Sequence, residues 1–216
     1  MSSTTHKTHE TKASHDDKTR DKGFGYYHLT FLDKLFLRLR MHIVTKHVNF
    51  NGKSVVDVWS GFRALNLQYL QSCYKMDNIA ALDLNLDEKE LEAKWIQCLI
   101  GDLEVRKDSD QKFDIVLGTA IMEHIQNDQG FIESCYAMLK PGGKLVLTTP
   151  SKRSQPVLEF LAYKLHVIEE VEIRDHKRYY TKAMLIECLK KAGFKESHIH
   201  HEYFELGMNN FVIATK

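Results

Sequence analysis

The chain is short of features that point outward. No apolar run in its 216 residues approaches the roughly 20 needed to cross a bilayer, and the N-terminal stretch lacks the apolar core of a secretory signal. Basic and acidic side chains nearly cancel, 30 against 29 for a formal net charge of +1, so no global field draws in nucleic acid or an acidic partner. The four cysteines, Cys73, Cys98, Cys135 and Cys188, stand far apart, without the close pairs of a metal knuckle or the density of a disulfide scaffold. They read as reduced, mostly buried thiols. These absences set the expectation of a soluble, cytoplasmic protein with no membrane span.

A hydrophobic content of 43% supports one full core and hence one domain. Residues 1–23 are Ser, Thr, His, Lys and Asp with almost no apolar side chain, the composition of a disordered polar tail. Its His6, His9 and His15 follow no ligand-like repeat. The folded domain is therefore expected over 24–216. Within it, Leu32, Leu35, Phe36, Leu39 and Ile43 recur at helical spacing, with Lys34, Arg38, Arg40 and Lys46 among them, giving an amphipathic helix over 29–48. Such a helix packs on the core or makes a peripheral membrane contact.

From Lys53 onward, short apolar runs alternate with helical patterns. Ser54 to Val58 ends in the turn Trp59-Ser60-Gly61-Phe62, followed by a helical pattern from Arg63 to Tyr74. Ile79 to Leu82 ends on Asp83, and Ile96 to Ile100 ends on Gly101-Asp102. Phe113 to Leu117 runs into Gly118-Thr119-Ala120-Ile121-Met122-Glu123-His124. A helix from Asp128 to Leu139 then meets Lys140-Pro141-Gly142-Gly143 and the run Lys144 to Pro150. This alternation argues a doubly wound α/β fold with a mostly parallel, Rossmann-like sheet. Ligands of such sheets sit at the carboxyl ends of the strands, where the acidic and glycine residues fall.

On these residues the sequence resembles the class I S-adenosylmethionine-dependent methyltransferases of the small-molecule type, over roughly residues 50 to 216. The resemblance implies a seven-stranded sheet with an antiparallel C-terminal strand, S-adenosyl-L-methionine as cofactor, and O-, N- or C-methylation of a small-molecule acceptor. It places Asp57, Trp59 and Gly61 in the cofactor turn, Asp83 and Leu84 at the ribose, Gly101, Asp102 and Leu103 at the adenine, and Gly118 and Thr119 beneath the cofactor as small residues that leave it room. Asp83 has a competing role as an N-terminal charge for the helix starting near Asp87, and Asp102 as a turn residue. The family turn carries three alternating glycines; here Gly61 keeps only the middle one, with Trp59 at the first position and Arg63 at the third. An indole there narrows the pocket, so glycine at position 59 is expected to strengthen cofactor binding. A methyltransferase-like scaffold with weak or lost cofactor binding is the alternative this turn keeps open.

Glu123-His124 resembles the acid-histidine pair that follows the fourth strand in small-molecule members. His124 is a candidate catalytic base or a structural partner. Residues 151–180 are the expected substrate cap, and His176 and Tyr179 near its end either face the reacting centre and substrate or hold the cap down. Thr181 reads as the N-cap of the last helix, which stops at Gly193. Two final strands are expected over roughly Lys195 to Glu205 and Asn209 to Thr215. Alternation puts His198 and His200 on one face of the first. No third ligand accompanies them in the sequence, so no metal site is expected. A dinucleotide oxidoreductase is disfavoured because the turn after Asp57 lacks the glycine fingerprint. A nucleic-acid methyltransferase is disfavoured because Gly118-Thr119-Ala120-Ile121 stands where an Asn-Pro-Pro-aromatic motif would.

Overall fold

The computed structural model describes residues 31–103, 110–164 and 170–216. The expected polar tail of residues 1–23 and the start of the first helix lie outside the described residues. Along the chain come α1 (Phe31–His47), β1 (Ser54–Val58), α2 (Leu65–Cys73), β2 (Asn78–Asp83), α3 (Glu88–Glu92), β3 (Gln97–Ile100), β4 (Phe113–Thr119), a 3₁₀ turn (Met122–His124), α4 (Asp128–Met138) and β5 (Leu139–Pro150). They are followed by α5 (Gln155–Tyr163), α6 (Glu170–Asp175), α7 (Lys182–Lys191), β6 (Ile199–Phe204) and β7 (Asn209–Thr215).

The strands form one seven-stranded sheet in the order β3-β2-β1-β4-β5-β7-β6. The first five are parallel to their neighbours, and β7 inserts antiparallel between β5 and β6. Every residue of β1 is buried, as a strand covered on both faces requires. Val56 and Val58 join a cluster with Phe131 and Cys135 of α4 and Leu185 and Leu189 of α7. Val55, on the other face, packs with Met41 and Val44 of α1 and Leu67 and Leu70 of α2. Asp57 shares the face of Val55 by alternation, so a carboxylate is carried into the apolar layer at the end of the central strand.

Local signals set the element ends. Asp87 caps α3 by accepting from the Glu90 N–H, and Asn127 caps α4 through the Gly130 N–H. Thr181 caps α7 through the Met184 N–H, as expected. By contrast α2 begins after Ala64 in the left-handed region, with no side-chain cap.

Three expectations change in detail. The stripe of α1 is buried only toward its C-terminal end: Met41, Ile43 and Val44 are covered, while Phe31, Leu35, Phe36 and Leu39 are exposed, because only the last turns of the helix reach over the sheet. Of the cysteines only Cys135 is buried; Cys98 and Cys188 are partly covered and Cys73 is exposed in the last turn of α2, all as free thiols. His198 lies in a 3₁₀ turn (Glu196–His198) ahead of β6, so the strand face that carries His200 continues with Glu202 instead.

The excursion between β5 and α7 is closed at its base. Ser151 and Tyr180 form an isolated parallel bridge, and the Lys152 N–H donates to the Tyr180 carbonyl at 3.1 Å. The Asn210 carboxamide on β7 donates to the carbonyls of Tyr180 at 3.1 Å and Thr149 at 3.3 Å. The fully buried Tyr180 phenol donates to the Met122 carbonyl at 3.2 Å.

Candidate active site

The carboxyl ends of β1, β2 and β3 meet at one place. The Gly61 N–H donates to Asp83 Oδ2 at 2.8 Å, and the Gly101 N–H donates to the Asp83 carbonyl at 3.1 Å. The other carboxylate oxygen of Asp83 accepts from the Asn85 N–H at 3.3 Å. Burial raises the Asp83 pKa, with the amides of Gly61, Asn85 and Leu84 opposing it. Leu84 stands exposed beside it and Leu103 is fully buried, while Asp102 is half-exposed between them.

The turn after β1 is held by β2, since the Trp59 N–H donates to the Leu82 carbonyl at 2.6 Å. Trp59 takes φ 54° and Gly61 φ 72°; the left-handed conformation suits glycine and costs a tryptophan roughly 1–2 kcal/mol. The indole packs partly buried against the cluster that contains Val58, Leu82 and Leu103. Arg63, at the third glycine position, is committed to Glu90 of α3 through two hydrogen bonds of 2.7 and 2.9 Å. That pair, with Lys94, holds the Glu90 carboxyl down at about 2. The departures from a three-glycine turn are thus accommodated by core packing and an ion pair.

Asn66 was not singled out in the sequence, yet it ties the site together. Its carboxamide donates to Asp57 Oδ2 at 3.0 Å and to Thr119 Oγ1 at 2.9 Å, linking the ends of β1 and β4. Burial pushes the Asp57 carboxyl up to about 7, against the Asn66 hydrogen bond. Two polar atoms here are buried without a hydrogen-bond partner among the described residues, Asp57 Oδ1 and Trp59 Nε1. Buried orphans of this kind cost stability and call for a reason. Gly118 has a different one: a Cβ there would meet Leu147 at 3.0 Å and Val58 at 3.4 Å. Its smallness serves the packing of β4 against its neighbours.

Beyond β4 lies a second group. His124 Nδ1 is 3.1 Å from Asp175 Oδ2, and His176 Nδ1 is 3.2 Å from the Tyr179 hydroxyl. The two imidazoles meet edge to face at 5.0 Å. Glu123 is buried and accepts from the Thr149 hydroxyl at 2.9 Å; burial raises its pKa against the pull of His124. Burial, with the charge of His124, lowers His176 to about 4, so its ring is neutral near pH 7. Burial pulls Asp175 upward, but Lys177 and His124 outweigh it and its carboxyl lies below the ordinary range. Tyr179 is pushed up to about 12 by burial and nearby Glu159. One donor atom each from Glu123, His124 and His176 falls within 4.8 Å of the others, close enough to share a divalent cation. Arg40 of α1 joins the two groups, since its charge lowers both Asp57 and Glu123. Asp175, Thr149 and Arg40 carried no sequence signal, because each reaches the site only through the packing of a distant element.

The sequence matches the methyltransferase-domain family over residues 27–199. It is 26% identical over 124 residues to the ubiquinone biosynthesis O-methyltransferase of Coxiella burnetii, covering 56% of this chain and 53% of that protein. A Rickettsia felis protein of the same name is 26% identical over 165 residues, 73% of this chain and 63% of its own length. The chain thus spans between about half and two-thirds of the length of these relatives. Phosphoethanolamine N-methyltransferase 2 of Haemonchus contortus, solved with S-adenosyl-L-methionine, superposes with a TM-score of 0.62 at 15% identity, covering 83% of this chain and 52% of that one. Sheet order, strand-end residues and family match agree: the chain belongs to the methyltransferase-domain family and has the class I S-adenosylmethionine-dependent methyltransferase fold.

Proposed function

We propose that the protein binds S-adenosylmethionine and methylates a hydroxyl of a largely apolar small molecule. The observation that carries this reading is the placement of Asp83 against the Gly61 amide at 2.8 Å, at the strand ends where this fold takes its cofactor. Bound there, S-adenosylmethionine supplies a methyl group on a positively charged sulfur. The Asp83 carboxylate suits ribose hydroxyls, and Asp102 and the exposed Leu84 suit an adenine, with Leu103 buried beneath. The indole N–H of Trp59, without a partner among the described residues, and the uncapped N-terminus of α2 suit a carboxylate, and Asp57 Oδ1 suits an ammonium. The two orphaned atoms are therefore complementary to an amino-acid moiety.

At the acceptor side, His124 donates Nδ1–H to Asp175 and keeps Nε2 as the base that takes the hydroxyl proton. Asp175 fixes the ring and stabilises the imidazolium that forms. Neutral His176, Tyr179 and Glu123 position the acceptor, and orientation supplies much of the rate. Residues 151–180 serve as the substrate cap, with exposed Val157, Phe160 and Tyr163 and the α1 residues Leu35, Phe36 and Leu39 offering apolar surface. Oxygen is preferred as the acceptor atom because the relatives are named as O-methyltransferases. Four unpaired thiols, one of them exposed, favour a reducing compartment such as the cytoplasm. Among the described residues, no helix is long and apolar enough to cross a membrane.

The test is calorimetric titration with S-adenosylmethionine and S-adenosylhomocysteine, followed by a turnover screen against catechols, phenols and amines. Micromolar binding and turnover of a hydroxylated aromatic are expected. Binding of neither nucleoside would leave a scaffold that keeps only the fold.

A further inference from the structure

We infer that the C-terminal end of α1 and the edge strand β6 form a binding site for a divalent transition cation of the zinc type, with His47, His200 and Glu202 as its ligands. The sequence set His200 beside His198 with no third ligand; the fold gives it two different partners. His47 is the last residue of α1, and His200 and Glu202 are two apart on one face of β6. One ligand atom from each lies within 4.8 Å of the others. His47 Nε2 is 3.1 Å from one oxygen of Glu202, and His200 Nε2 is 3.5 Å from the other. Metal–ligand bonds of about 2.0–2.1 Å in a tetrahedral zinc site put neighbouring donor atoms about 3.3 Å apart. Each imidazole nitrogen thus stands near that value from one oxygen of the Glu202 carboxylate, which can offer either oxygen to the cation.

The direction of the contacts says more than their length. His47 Nε2 is buried and makes no hydrogen bond among the described residues, although a carboxylate oxygen lies 3.1 Å away. A pair held by its own attraction points the N–H at the oxygen. Ligands of one cation instead aim their lone pairs at a third point and sit side by side. The surroundings favour this arrangement. Both imidazoles lean on the fully buried Phe211 ring, at centroid distances of 5.2 Å for His47 and 6.4 Å for His200. The carbonyl end of the 17-residue α1 adds negative potential where a cation would sit. A hollow of about 430 Å³ beside the two imidazoles, bordered also by His198, Lys144 and Thr215, leaves room for water as a fourth ligand. Two imidazoles and a carboxylate suit zinc, cobalt or nickel in preference to magnesium. The cation would fasten α1 to an edge strand, so this inference does not depend on methyl transfer.

The test uses the full chain after chelator treatment. Zinc titration is expected to show one more equivalent in the wild type than in His200→Ala. Cobalt is expected to give a tetrahedral absorption band that both His200→Ala and Glu202→Gln abolish. Replacing His6, His9 and His15 together with Ala is expected to leave that band in place, which separates this site from the N-terminal histidines. Zinc should also raise the melting temperature of the wild type and not of Glu202→Gln, a conservative change at a partly exposed residue that keeps the comparison valid if His47→Ala fails to fold. No cobalt band in the wild type, an unchanged band and stoichiometry in both variants, or equal competition by magnesium overturns the proposal.

Discussion

Replacing Trp59 with phenylalanine separates what this side chain costs the free protein from what it contributes to a ligand. The indole N–H is buried without a partner among the described residues, and an unmade buried hydrogen bond costs about 1–3 kcal/mol. Phenylalanine removes that donor, leaves φ 54° unchanged, and keeps a ring against Val58, Leu82 and Leu103. Its smaller area gives back roughly 1 kcal/mol of burial. The free variant should therefore be as stable as the wild type or up to about 2 kcal/mol more stable, with a melting point up to roughly 4–8 °C higher for a chain of this size. Binding should move the other way. If the N–H meets the carboxylate of the cofactor, its loss costs about 1.5–3 kcal/mol, or roughly 10- to 150-fold in affinity. Glycine at the same position relieves the left-handed backbone but empties the space that the indole fills, so it should lose stability on balance. Calorimetric titration with S-adenosylhomocysteine beside differential scanning calorimetry reads both quantities. Unchanged affinity in Trp59→Phe refutes the ligand role, and a destabilisation beyond about 2 kcal/mol refutes the orphaned donor.

Asp83→Ala removes the proposed ribose contact and should weaken S-adenosylhomocysteine by about 10- to 150-fold; wild-type affinity in that variant would sink the assignment. For Asp57 the folded pKa of about 7 lies above its ordinary 3.8, so the folded state holds a proton that the unfolded state has released, and this group makes stability fall as pH rises from about 4 to 7. Asp57→Asn keeps the Asn66 contact and should be more stable than the wild type at pH 8 but not at pH 4, by urea denaturation at both; parallel curves would refute the buried-acid argument. His176 acts with the opposite sign: its folded pKa of about 4 lies below 6.5, so it removes stability as pH falls through that window, and His176→Gln should flatten the acid limb of the same curves. Asp175→Asn should lower kcat by roughly 10- to 100-fold with cofactor affinity unchanged, and an equal loss in both would make Asp175 structural.

The parallel strands could be read in the sequence because a parallel sheet covered on both faces demands continuous apolar runs, and Val55, Val56 and Val58 meet that demand. Asp83 and Gly101 could be placed because a strand end is a local feature. What the sequence withheld depends on chain reversal at long range. Asn66 bridges Asp57 and Thr119, and nothing in its own neighbourhood distinguishes it from a surface residue of α2. Asp175 reaches His124 across 51 positions. The apolar spacing of α1 was visible, but how far the helix extends beyond the sheet was not, so Leu35 and Phe36 read as core and are exposed. The turn kept two readings open in the sequence, because the packing of Trp59 against the core cluster and the pairing of Arg63 with Glu90 both depend on distant elements.

The bridge between Ser151 and Tyr180 has a consequence for how this protein can change. Both ends of the excursion are pinned to the sheet, by Lys152, Tyr180 and Asn210, and its last residues are tied to the 3₁₀ turn by the Lys177 N–H on the Glu123 carbonyl. Lengthening such a loop costs little, about 0.6 kcal/mol per doubling. Exchange of segments from relatives is therefore expected to be tolerated around α5, altering which acceptor is admitted, and not from Asp175 to Tyr179, where the excursion holds His124 and Glu123.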